Sequence, residues 1–225
     1  TREKFLPGWT PAAAAGGPKA PEVHFVGEAY SDTDTASVTL GGFSLPAAEA
    51  GRLFVAVIHD ENSSISNVQI DSNTMSAAVA QVIYGSRSEA IYQIQSDTLT
   101  GNVNITYSLS GSENGHAAGL YYIDGLSSTN IHDSMSDTGA ASTLSGTIDV
   151  PNNGILIAGT VQADDPVTNV SWSGASEDYD VIESARFISY SGASASGLPP
   201  ETGRTVQATA GSFIGDFVLV AASWG

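Results

Sequence analysis

Residues 101–109 read Gly-Asn-Val-Asn-Ile-Thr-Tyr-Ser-Leu, and this stretch decides the fold class. The apolar residues Val103, Ile105, Tyr107 and Leu109 alternate with polar ones, which is the two-residue period of a half-buried β-strand. This alternation predicts a strand with one face on a core and the other face in water.

Three other stretches are apolar without alternation. Leu53–Ile58, Ile155–Val161 and Phe217–Ala222 are short continuous apolar runs, which predicts strands that are covered on both faces. The pairs Asn114-Gly115 and Asn153-Gly154 lie between predicted strands and are typical of tight turns. Further strands are expected at Val23–Val26, Ala36–Leu40, Ser66–Ile70, Ala78–Tyr84, Ala90–Ile94, Ala117–Ile123, Gly146–Val150, Asp180–Tyr190 and Thr205–Ala210.

These elements together predict an all-β chain. No window shows a helical period with capping residues at its start, and no internal repeat is visible at a solenoid or propeller period. About twelve strands in about 200 residues predict an antiparallel two-sheet sandwich, jelly-roll-like, over residues 22–225. We expect its core to contain Leu53, Val55, Val57, Ile105, Tyr107, Leu120, Tyr122, Ile155, Ile157, Phe217 and Leu219.

Composition excludes several classes of protein. The 225 residues contain no cysteine, which excludes disulfides, thiolate zinc sites and cysteine nucleophiles. Seven basic and 24 acidic residues give a net charge of −17, which argues against nucleic acid as a partner. There is no run of 18 apolar residues, and residues 1–17 lack the apolar centre of a signal peptide. We therefore expect no membrane partner and a chain that is made in the cytoplasm.

The first 21 residues differ from the rest in charge and composition. They contain three basic residues and one acidic residue, whereas residues 22–225 contain four basic and 23 acidic ones. Four prolines and three glycines interrupt any long helix in this segment. We predict an extended N-terminal arm over residues 1–21, and the alternative is that it folds back on its own acidic sandwich. The predicted partner-docking residues are Arg2, Lys4, Phe5, Leu6 and Trp9.

The chain contains no strong catalytic signature. It has neither a Gly-x-Ser-x-Gly elbow nor a glycine-rich phosphate loop. Acidic residues at Asp32 and Asp34, at Asp60-Glu61 and at Asp164-Asp165 lack the spacing of a calcium loop. We predict no catalytic residue, no metal and no cofactor, and hence no enzyme. Surface or strand-edge positions are expected for His24, His59, His116 and His132.

One acidic strand requires a separate comparison. Residues Glu177–Glu183 read Glu-Asp-Tyr-Asp-Val-Ile-Glu and are similar to the nucleophile–helper–acid strand of laminarinase-type glycoside hydrolases. That resemblance implies carboxylates on one face of a concave sheet, where one attacks and another protonates. Asp178 stands where the family usually has Glu, and Tyr179 is bulkier than the small aliphatic residue normally found there. An enzyme is therefore the least favoured of the functions considered.

A second resemblance covers most of the chain. The order of motifs from Ala36 to Trp224 resembles a β-sandwich domain that recurs in phage virion proteins and in bacterial surface proteins. The motifs that carry it are Arg52–Val57, Ser66–Ile70 with Asp71–Met75, Ser88–Tyr92, Thr100–Thr106, Ala118–Gly125, Asn153–Ala158 and Phe217–Ala222. Ser-Asn stands where the family usually has a Gly-Gly pair in the hairpin.

The resemblance implies a function as well as a fold. A compact domain with a short basic arm is similar to the head decoration or head-spike proteins of tailed phages and of phage-like gene transfer agents. It implies a virion structural protein, made in the bacterial cytoplasm and carried on the particle surface, with capsid or other virion proteins and further copies of itself as partners. The alternative is a carbohydrate-binding or host-attachment module, a tail fibre or adhesin, that binds a host-surface glycan through Trp172 and Tyr179.

Overall fold

The computed structural model describes residues 19–61, 63–163, 167–211 and 215–225. These residues form seventeen β-strands and no helix, which confirms the all-β antiparallel prediction. The strands are β1 (Glu22–Ser31), β2 (Thr35–Leu45), β3 (Leu53–Glu61), β4 (Ile65–Ile70), β5 (Asn73–Thr74), β6 (Ser76–Tyr84), β7 (Arg87–Gln95), β8 (Gly101–Glu113), β9 (His116–Asp124), β10 (Asp133–Gly139), β11 (Thr143–Val150), β12 (Gly154–Ala163), β13 (Val170–Ser173), β14 (Ser176–Glu183), β15 (Ile188–Leu198), β16 (Glu201–Ala210) and β17 (Asp216–Trp224).

The strands form four sheets. Sheet I has the order β1-β9-β3-β7-β6, sheet II β2-β8-β4-β5, sheet III β10-β17-β12-β15-β14 and sheet IV β11-β16-β13. Sheets I and II form an N-terminal sandwich from residues 22–124, and sheets III and IV form a C-terminal sandwich from residues 133–224. We had expected one two-sheet sandwich over residues 22–225, and the strands instead build two.

The reason lies in the continuous apolar runs. A sandwich of two sheets leaves one face of every strand in water, so a strand covered on both faces requires additional layers. The apolar residues of β3, β12 and β17 are all buried except Ala163 at the end of β12. These strands lie in sheets I and III, which are the two inner layers. In β8 of outer sheet II, only the alternating apolar residues are buried.

Hydrophobic clusters fix the order of the layers as II, I, III and IV. One cluster joins sheets II and I through side chains such as Phe43, Ile105 and Leu120. A second joins sheets I and III and contains Val57, Ile157 and Trp224. Further clusters join sheets III and IV. The predicted core residues are buried with one exception, since Tyr122 is only half-buried.

The two sandwiches are structural repeats of each other. With β5 set aside, the strand orders of sheets I and II recur in sheets III and IV. Even a bulge recurs, between Ala77 and Val79 on β6 and between Glu177 and Tyr179 on β14. Register pairs Phe54 with Ile94 in one half and Leu156 with Ala195 in the other. The repeat length is therefore about 100 residues. The two halves share strand order and register, but their sequences show no obvious identity.

Sheets I and III face each other about an approximate two-fold axis. Strand β3 packs on its equivalent β12, β6 packs on β10 and β17, and β1 packs on β15. Because Leu53 and Ile155 begin their strands within one cluster, both sandwiches have the same orientation along this axis. We call this end of the molecule the near pole. The opposite end, where Tyr190 donates to the carbonyl of Gly115, is the far pole.

Candidate functional site

The predicted docking residues Arg2, Lys4, Phe5, Leu6 and Trp9 lie outside the described residues. The last three residues of the predicted arm are described. The carbonyl oxygens of Lys19 and Ala20 lie so close to Gly125 that a Cβ there would meet both at 3.0 Å. Lys19–Pro21 also line a small cleft with Asn152 and Gly225. The arm therefore joins the sandwich at the near pole, beside the end of β17.

The two predicted glycan contacts lie at different places, and one must be corrected. Tyr179 is 6% exposed, and it lies between sheets I and III, so no sugar can stack on its ring. Its hydroxyl lies 2.6 Å from Nε2 of His59. Trp172 is half-buried on sheet IV and donates its indole N–H to Ser191 Oγ at 2.8 Å. Glycan contact at Trp172 stays a prediction.

A buried polar network occupies the centre of the molecule. His59 Nδ1 lies 3.0 Å from Oε2 of Glu89, and neither side chain has any exposed surface. Burial raises the pKa of Glu89 well above its usual range and lowers the pKa of His59 to about 3. Burial therefore favours the neutral form of both groups. His59 shares a hydrogen bond with Glu89 through Nδ1 and another with the Tyr179 hydroxyl through Nε2.

Three glycines make room for this network. A Cβ at Gly119 or at Gly192 would meet the ring of Tyr179, so the tyrosine lies against bare backbone on two strands. A Cβ at Gly159 would overlap Val57 and Oε1 of Glu89. The seam between the sandwiches is therefore fitted around particular side chains.

A second network lies towards the far pole, inside the N-terminal sandwich. Asp60 Oδ2 accepts hydrogen bonds from the Tyr107 hydroxyl and from His116 Nδ1, both at 2.9 Å. His116 Nε2 lies 2.9 Å from the carbonyl oxygen of Glu113, so acceptors face both ring nitrogens. Burial lowers the pKa of His116, but Asp60 and the carbonyl acceptors outweigh it, and the pKa lies above its usual value.

Both networks correct the sequence prediction for histidine. His59 and His116 were expected at surface or strand-edge positions, and both are fully buried. A signal was available for His59, because it continues the apolar run of β3 without a turn residue between them. Its partners lie 30 and 120 residues away along the chain, so the sequence did not reveal the network.

The networks have acid–base groups but no access for a substrate. A general base must come within about 2.6–3.2 Å of the proton that it removes. His59, Glu89 and His116 are 0% exposed and lie inside packed sheets. In this fold His59 contacts Glu89, and His116 contacts Asp60. Oε1 of Glu89 has no hydrogen-bond partner among the described residues.

The carboxylates of Glu177–Glu183 do not share a face. Asp178 lies at the bulge of β14 and neighbours Tyr121 of sheet I. Asp180 instead accepts a hydrogen bond at 2.8 Å from the backbone N–H of Val170 in sheet IV. Burial raises the pKa of Asp180 to about 6. A retaining or inverting glycosidase needs both carboxylates in one cleft, and this pair flanks opposite faces of sheet III.

The described parts of the chain contain no cluster of three or more His, Asp or Glu side chains that could hold a metal ion. Asp60 instead accepts hydrogen bonds from His116 and Tyr107. The pair Asp164-Asp165 lies outside the described residues. Within the same residues, no helix is long and apolar enough to cross a membrane.

Comparisons with known proteins give little further information. No protein-family model matches the chain, and no curated protein matches it. Among solved structures, the chain is similar to one from the cryo-EM structure of the Sputnik virophage at 3.5 Å resolution. The match covers 100% of this chain and 89% of that chain, at 8% identity and a TM-score of 0.20. A TM-score this low carries no argument about fold or function.

Proposed function

We propose that this chain is a non-enzymatic structural protein on the exterior of a phage-like particle, a head-spike or decoration protein that residues 1–21 anchor. The observation that carries the proposal is the burial of the acid–base groups. Glu89 and His59, whose pKa values burial shifts strongly, are sealed between two sheets. Perturbed groups of an enzyme instead lie in an open cleft.

The strand order supports the jelly-roll part of this proposal. With β6 set aside, the first, eighth, third and sixth remaining strands of the N-terminal sandwich form one sheet. The second, seventh, fourth and fifth form the other. Apart from the nine-residue strand β6, this order agrees with that of a jelly roll, a sandwich that is common in viral capsid proteins.

The position of the arm supports its role as an anchor. Lys19–Pro21, the described part of the arm, lie at an end of the molecule rather than on a flank. The sandwich carries nearly all of the negative charge, and the arm carries the opposite sign. A neighbouring virion subunit, or a further copy of this chain, is the partner that such an arm suits.

The experiment is co-sedimentation with particles from the organism that encodes the chain. The full chain, a version without residues 1–18 and the variants Trp9→Ala and Thr10→Ala are compared. We expect loss of binding for the truncation and at least a tenfold loss for Trp9→Ala, since a buried aromatic anchor carries about 2 kcal/mol or more. Thr10→Ala is the matched control and should bind normally.

Thermal unfolding separates the two roles of the arm. The truncated chain keeps Lys19–Pro21 and their contact with Gly125, so its melting temperature should equal that of the full chain. A markedly lower melting temperature would show that the arm folds back on its own sandwich. Normal sedimentation of the truncated chain would contradict the anchor.

A further inference from the structure

A cleft of about 310 Å³ opens at the near pole, on the flank of the N-terminal sandwich. It lies between the start of β6 and the end of β7, and Thr129 and Asn130 of the segment between the sandwiches close it. Half-buried Ile94 supplies aliphatic surface, above a floor formed by Leu53 and Met75, which are 1% and 5% exposed. Every other described residue that lines the cleft is a hydroxyl or amide residue, and none is charged.

The amide groups of this cleft are held in position. The indole N–H of Trp224, which is fully buried, donates to Oε1 of Gln93 at 2.7 Å. That bond directs Nε2 of Gln93 towards the carbonyl oxygen of Thr129, 3.4 Å away. Gln95 and Asn130 are exposed at the rim. The cleft therefore has a fixed amide inside it and two accessible amides at its edge.

The second repeat provides an internal comparison. A cleft at the equivalent position of the C-terminal sandwich is lined by Ala175 and Ala195, where the first has Met75 and Ile94. Ser196 follows Ala195, whereas Gln95 follows Ile94. A cleft at this position is thus a product of the fold, but the amides occur only in the first one. Packing of the fold does not require the exposed residues Gln95 and Asn130. Gln93, in contrast, accepts a hydrogen bond from the buried Trp224.

We propose that this cleft binds one neutral saccharide unit. Amides and hydroxyls both donate and accept, as sugar hydroxyls do, and the aliphatic side chains suit the C–H face of a pyranose ring. A charged sugar is disfavoured, because no basic side chain among the described lining residues would pair with its carboxylate in a chain of net charge −17. The site is separate from Trp172 and Tyr179, and it does not depend on the particle role.

The test uses the full chain and saturation-transfer NMR with methyl glucoside, methyl galactoside, N-acetylglucosamine and glucuronate. We expect transfer to at least one neutral sugar and none to glucuronate. Gln95→Ala and Asn130→Ala should each weaken binding about three- to tenfold, the effect of losing one hydrogen bond. Both side chains are exposed, so these variants should fold normally.

Ser196→Ala, at the position equivalent to Gln95 in the other repeat, is the matched control and should leave binding unchanged. The proposal is overturned if no neutral sugar gives a signal, if glucuronate binds as well as the neutral sugars, or if Gln95→Ala binds normally. Because the isolated chain is used, these outcomes are independent of particle binding.

Discussion

Adding a single methyl group at Gly159 tests the seam between the two sandwiches. Gly159 lies on β12, and its backbone is not in the left-handed region, so alanine introduces no strain of its own. The new Cβ would overlap Val57 and Oε1 of Glu89, both of which are 0% exposed. Strand β3 cannot move aside, because sheet II covers its other face. The substitution must therefore overpack the seam.

The magnitude follows from this geometry. Overpacking a well-filled core costs about 1–3 kcal/mol, and the favourable effect of replacing glycine by alanine in a strand is about 0.5–1 kcal/mol. We expect a net loss near 2 kcal/mol, because two buried neighbours are displaced and one of them belongs to the His59 network. For a chain of this length, that corresponds to a melting temperature roughly 4–8 °C lower.

The assay is thermal unfolding followed by near-ultraviolet circular dichroism, with Gly139→Ala as the control. A Cβ at Gly139, on edge strand β10, would meet only Leu144, at an ordinary 3.7 Å. On the same scale, the control should melt about 1–4 °C above the parent. If Gly159→Ala melts with the control, sheets I and III do not pack face to face at this crossing, and the four-layer order is wrong.

Three further outcomes are expected. Stability should fall as the pH rises above about 6.5, the pKa of an unfolded histidine. Burial favours a protonated Glu89 beside a neutral His59, so the folded pair holds a proton that the unfolded chain has released. The raised pKa of His116 acts in the same direction, since its contribution is complete below about 6.5 and is lost as the pH rises through its folded value. Melting curves at a series of pH values should show a flatter profile for Glu89→Gln, and an unchanged profile would contradict this. Arg52→Ala should cost about 3–5 kcal/mol in urea unfolding, because Asp124 loses contacts at 2.7 and 3.1 Å and stays buried, while Arg52→Lys should fall in between. EDTA should leave the melting temperature unchanged, and a drop of several degrees would reveal a bound metal ion.

Local patterns in the sequence predicted most of the strands. The alternation in residues 103–109 predicted a strand with one buried face, and the continuous run Leu53–Ile58 predicted a strand with both faces buried. The burial of β8 and β3 confirms both. Asp180–Tyr190 was predicted as one strand, and a turn divides it between Glu183 and Ile188. Strands β10 and β13 were not predicted. The sequence of β10, Asp-Ser-Met-Ser-Asp-Thr-Gly, has little apolar character because it is an edge strand of sheet III.

Features that depend on distant residues were not predicted. The repeat was missed because its halves share apolar type rather than identity, as in Leu53–Ala56 and Ile155–Ala158. Tyr179 was predicted to bind a glycan because loop aromatic residues of jelly-roll sandwiches often do so, and the acidic stretch around it gives no local sign of burial. Its burial depends on Gly119, which lies 60 positions earlier, and on Gly192. The ring fits between the sheets because neither glycine has a side chain.

The same tyrosine determines which halves can associate. Under the approximate two-fold axis, Val79 is equivalent to Tyr179, and Val220 is equivalent to Gly119. Two N-terminal halves paired together would place Val79 over glycine and leave a void, whereas two C-terminal halves would drive Tyr179 into Val220. Each sandwich therefore fits the other and not a duplicate of itself. Because both halves lie on one polypeptide, the two matching partners are always present in equal number.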